Sequence, residues 1–209
     1  MDAPHHPPPG AAFRTLVGVS AMAASALLVA SGAMELVAGR LFPLQLLAGY
    51  VALAAMPFVA LGLNALQQPR GGWVGLLGAV LFGAGVTGLS AAALYALVTG
   101  LTEADLVRDD FGGIYALDAA AFLAGGLLFG ASVLRARAFP AWAGIALVAG
   151  VVLSGALAGA GKPGQAQALA TAATSAAFAG MAVRCLGGGP RERRRGAVES
   201  REKVYADRG

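Results

Sequence analysis

The chain has 209 residues, 57% of them hydrophobic and 12% charged, with a mean hydropathy of +0.70. Soluble domains carry about 25% charged residues, so a water-soluble fold of this size could not bury so much apolar surface, and the natural solvent is lipid. The net charge of +4 and the pI near 9.7 do not point to nucleic acid, because the basic residues flank apolar runs.

In chain order, residues 1–12 read as a Pro-rich disordered cytoplasmic tail. A transmembrane domain follows over 13–187. It contains six apolar stretches, 15–39, 43–66, 73–99, 113–134, 140–160 and 165–186, each meeting the ~20 residues a bilayer requires. None alternates with period two, so they are helices and not barrel strands. The expectation is an all-α membrane protein, a six-transmembrane-helix bundle. Breaks fall at "GRLFP", "QQPRGG", "RDDFGG", "RARAFP" and "GKPG", where Pro and Gly end helices. Residues 188–209 form a second disordered tail, in which Arg191, Arg193, Arg194 and Arg195 make a lipid-facing basic cluster suited to anionic headgroups. The first stretch also carries Ser31 and Ala33, the small residues of a signal-peptide cleavage site, but it exceeds the ~7–15 residues of a signal's apolar region.

Lys and Arg placement sets the orientation. With the N-terminus inside, twelve basic residues are cytoplasmic, and only Arg40, Arg108 and Lys162 lie outside. Both termini are then cytoplasmic. Arginine occurs 13 times and lysine twice, with abundant Ala and Gly, a GC-rich coding pattern that indicates a bacterial plasma membrane.

"RLFP" at 40–43 and "RAFP" at 137–140 stand at equivalent places, 97 residues apart, and Pro69 and Pro163 follow at an offset of 94. Two units of three spans would be inverted relative to one another, as in many secondary transporters. Ordinary membrane-edge punctuation gives the same tetrapeptides, and both readings stand at this point.

Two acids interrupt the apolar spans. Glu35 lies about 6 Å from the outer end of the first span, and Asp118 about 7 Å inside the fourth. Glu35 shares its helical face with Ala21, Ser25, Leu28, Ser31 and Gly32. Asp118 shares its face with Tyr115, Ala121, Phe122, Gly125 and Gly126. These small-residue faces suit close helix packing. Arg40, Tyr95, Tyr115 and Gln45 fall at similar depth, so a polar pocket of Glu35, Asp118, Arg40, Tyr115, Tyr95 and Gln45 is the candidate site. Intramembrane acids mark binding or proton-linked sites, yet near an interface they also snorkel, pair locally with a cation or cap a helix start.

Other features carry less. Gly126/Gly130 and Gly155/Gly159 have the spacing of tight helix contacts, although 31 glycines produce such spacings by chance. Pro57 is expected to kink the second span. Asn64 reads as an interfacial residue. Cys185 is the only cysteine, and His5 and His6 both lie in the tail, so no disulfide, bound metal or membrane haem is expected and no cofactor is assigned. No nucleotide loop, hydrolase elbow or zinc-protease motif occurs, and an enzyme is not expected.

The stretch "GASVLRARAFPAWAGIALVAG" closes one span with L-R-x-R and opens the next with F-P-x-W-x-G. Over residues 113–160 the chain resembles small multi-span bacterial integral membrane proteins of unknown function. The resemblance implies a helical bundle in the plasma membrane and brings no activity, substrate or site residue.

Two functions follow. The first is a structural or accessory membrane protein whose partners are membrane lipids or another membrane protein. The second is a small secondary carrier with an outer-leaflet acidic pocket. A carrier requires an aqueous cavity reaching the midplane, whereas the accessory role requires a filled bundle.

Overall fold

The computed structural model describes residues 10–38, 41–100, 104–159 and 165–187. The tail cluster Arg191–Arg195, Arg40 and the "GKPG" turn lie outside the described residues. Six helices follow one another: α1 (Ala11–Ala38), α2 (Pro43–Gln67), α3 (Gly72–Thr99), α4 (Ala104–Ala136), α5 (Ala141–Gly159) and α6 (Gln165–Leu186). No strand occurs among the described residues. Five helices are long and apolar enough to cross a membrane, and α5, apolar over Ala141–Leu157, is shorter.

Helix ends follow local chemistry. Pro43 opens α2 at the first helical position, where its missing N–H costs nothing. Gly100 ends α3 in the left-handed conformation, φ 72°, with its N–H on the Ala96 carbonyl. The sequence assigns 104–111 to an outer loop, but these residues are helical and form the start of α4, which bends at Gly112 (φ 51°, ψ −125°). The remainder, Gly112–Ala136, is the apolar part. Helix α1 likewise starts at Ala11, inside the stretch read as a tail.

Each helix lies against its neighbours in the chain, and α1 closes against α6, so the six form a ring. The ring is filled. Phe82 of α3, Phe129 of α4 and Phe178 of α6 are at most 1% exposed. The Phe82 and Phe178 rings meet at 5.6 Å, and Phe129 and Phe178 at 6.5 Å. Met56, Leu63, Leu147, Val151 and Met181 complete the centre. Large apolar side chains such as Leu16, Phe58, Val98, Leu117, Ile145 and Leu169 point outward. Glycines at the helix seams and large apolar side chains on the outside suit a lipid surround, where helices associate by close packing and not by hydrophobic expulsion.

The α3–α4 seam illustrates this. A β-carbon on Gly125 would overlap the backbone at Phe82, and one on Gly78 would come within 2.9 Å of the Leu128 carbonyl carbon. Gly126 and Gly130, spaced as a contact motif, face Val151 and Val148 of α5. Gly83 gives Pro57 room at the α2–α3 contact.

Candidate functional site

The residues read as one pocket divide into separate groups. Glu35 is half-buried at the end of α1, and the face it shares is buried at Ala21, Ser25, Leu28 and Ser31. Its partner is Gln45 of α2, whose Nε2 donates to Glu35 Oε2 at 3.5 Å, longer than the usual ~2.7–3.2 Å. The same Gln45 accepts at Oε1 from the Phe42 N–H at 3.4 Å, which satisfies one orphan donor at the start of α2. Its carbonyl accepts from Ser31 Oγ at 3.0 Å, and Gly49 leaves the space for that hydroxyl. Glu35, Gln45 and Ser31 therefore form a polar clasp between α1 and α2.

Tyr95 sits on α3 near its C-terminal end and donates its hydroxyl to Asp110 Oδ2 of α4 at 3.0 Å, in an exposed contact. Between this pair and the clasp, Leu46 of α2 packs with Ala92 and Ala96 of α3. Asp118 lies on the α3–α4 seam, with its carboxylate over Gly88, where a β-carbon would overlap it. Tyr115, half-buried, is one turn before it. The acids are thus held at different seams, Glu35 on α1–α2 and Asp118 on α3–α4, with the Leu46 contact lying between α2 and α3. Arg40 is outside the described residues. Among the described residues no cluster of three His, Cys, Asp or Glu is placed to hold a metal ion.

A third polar group was not read as a site from the sequence. Asn64, near the end of α2, is 3% exposed, Gln67 is 1% exposed, and both face Ser132 of α4, also 3% exposed. Gln67 Nε2 donates to Ser132 Oγ at 3.3 Å, and Ser132 Oγ donates to the Phe129 carbonyl at 2.8 Å. Asn64 Oδ1 and Gln67 Oε1 have no partner. The sequence signal was weak, a lone Asn and a Gln beside a turn, with the third member on another helix.

On the outer surface, a cleft of about 370 Å³ opens between α1 and α2. Phe13, Leu16, Val17, Phe58 and Gly62 line it, and Ser20 is its polar member. Its lining is almost wholly apolar.

Comparison with family models, with curated proteins and with solved structures returns no match for the chain.

Proposed function

We propose that the protein is a structural or accessory component of a bacterial plasma membrane, working through lipids or another membrane protein. The observation that carries this reading is the filled ring, with Phe82, Phe129, Phe178, Met56 and Met181 in the space a carrier would keep wet. The outward cleft between α1 and α2 supports lipid contact, because an acyl chain is the natural occupant of an apolar groove facing a bilayer. In this reading the chain crosses six times with both ends cytoplasmic, and the enzyme class is set aside because the polar groups sit at helix seams as packing contacts. Extraction in native lipid discs, followed by identification of bound lipids and proteins, tests it. A reproducible partner or selected lipid class supports the role, and neither being retained above control membrane proteins refutes it.

A second reading, the small secondary carrier with an acidic pocket, draws on Glu35, an acid half-buried at the α1–α2 seam. Proteoliposomes loaded with a pH-sensitive dye distinguish the readings: proton or sodium flux above that of empty vesicles favours the carrier.

A further inference from the structure

The apolar cleft between α1 and α2 lies toward the end of the ring where arginines gather. Val17 packs on Gly62, where a β-carbon would come within 2.7 Å of Val17 Cγ2, and Ser31 packs on Gly49. From the first contact to the second, α1 advances by 14 positions and α2 retreats by 13, so the two helices run antiparallel in one register. In that register the cleft extends from Phe13 to the level of Ser20 and Phe58, about 10 Å at 1.5 Å per residue. Arg70, eight positions beyond Gly62, is then about level with Gly10, just past the Phe13 end of the cleft. Chain neighbours alternate in direction around the ring, so Arg14, Arg70, Arg135, Arg137 and Arg184 all stand at this end, and all but Arg14 are exposed. Glu35, Asp110 and Asp118 lie toward the opposite end, and no acid accompanies the arginines among the described residues.

We infer that this cleft is a binding site for an anionic phospholipid, with one acyl chain laid along Leu16, Val17, Phe58 and Gly62 and the phosphate held at Arg70. The two parts of the lipid meet two parts of one surface. The lining suits a hydrocarbon chain entering from the bilayer, and Ser20 is its polar exception. The exposed Arg70 guanidinium offers a planar fork that takes two phosphate oxygens. Charge decides which headgroup is held. A zwitterionic headgroup brings its own cation into the field of the arginines, whereas an anionic one does not. Each basic residue near the membrane surface favours an anionic lipid about fivefold. The inference rests on the accessory reading and names the lipid that such a component would hold.

The full chain is reconstituted in phosphatidylcholine vesicles with a trace of phosphatidylglycerol that carries a diazirine on one acyl chain. After irradiation the cross-linked residues are identified by mass spectrometry. Cross-links should concentrate at the cleft, on Leu16, Ser20 and Phe58. Unlabelled phosphatidylglycerol should displace the probe at a concentration at least about fivefold below that of added unlabelled phosphatidylcholine. Arg70→Gln should lower that preference about fivefold, while Arg137→Gln, at the α4–α5 turn, should leave it unchanged. Both positions are exposed. Cross-links spread evenly over the outward residues of all six helices overturn the proposal. Equal losses in Arg70→Gln and Arg137→Gln overturn it too, because the charge of the whole end would then select the lipid. Cross-links confined to the cleft but displaced equally by both lipids show an acyl groove without headgroup selection, and likewise overturn it. None of these results removes the accessory reading, which falls when native-disc extraction retains neither a lipid class nor a partner.

Discussion

The side-chain amide of Gln45 bridges two helix ends: it donates to the Glu35 carboxylate at 3.5 Å and accepts from the Phe42 N–H at 3.4 Å. Glu35 therefore acts on α2 through Gln45. Glu35→Gln keeps an acceptor and should change stability by less than about 1 kcal/mol, whereas Glu35→Leu strands Gln45 Nε2 and should cost about 1–3 kcal/mol. Thermal unfolding in lipid discs measures both. Equal losses for the two variants would contradict the clasp. A carrier would lose flux in Glu35→Gln while remaining folded.

The α3–α4 seam sets a second expectation. Gly125→Ala places a methyl group into the backbone at Phe82, and should cost about 2–3 kcal/mol as the helices move apart. Gly32→Ala meets nothing within 4 Å and should be neutral or stabilising by about 0.5–1 kcal/mol, the intrinsic gain of Ala over Gly in a helix. Unfolding of the two variants side by side separates packing from propensity. Comparable behaviour would mean that the seam is not close-packed.

Arg137 ends α4 with φ 50°, and its N–H bonds to the Val133 carbonyl at 3.2 Å. A side chain in this region costs about 1–2 kcal/mol, which glycine avoids. Arg137→Gly should raise stability by about 1 kcal/mol in a denaturation measurement. A loss would show that the guanidinium makes a compensating contact.

Phe178 touches both Phe82 and Phe129 at the centre of the ring. Phe178→Ala should cost about 3–5 kcal/mol if the centre is dry and packed. A small effect, with new accessibility of the centre to a polar thiol reagent at an introduced Met181→Cys, would favour a hydrated centre and the carrier.

Much of the helix pattern was legible because apolar runs end in chemistry that stops helices. Pro43, Gly72 and Gly100 mark boundaries within a residue or two of the observed ones. The segment 104–111 was not legible as helix, since "ADLVRDDF" is charged and short and reads as a loop until it is seen to continue into α4. The closure of α1 on α6 could not be read either: spans that are apolar all round carry little record of which face meets which neighbour. Glu35 was legible, because its small, hydroxylated face is visible at helical spacing. The burial of Asn64 against α4 was not legible, because Ser132 beside it lies 68 positions away on another helix.

The central claim is a six-pass bundle with both ends on one side, and its weakest link is the short α5. If α5 does not cross, α6 runs the other way and the C-terminal tail changes sides. Cys185 is replaced by Ala, and single cysteines are placed at Thr102 in the α3–α4 connection and at Ser200 in the tail. Labelling with a membrane-impermeant maleimide in intact cells should modify the cysteine at 102, and should modify that at 200 only after permeabilisation. Labelling of both positions in intact cells would mean five crossings, and the reverse pattern would invert the protein; either result contradicts the account.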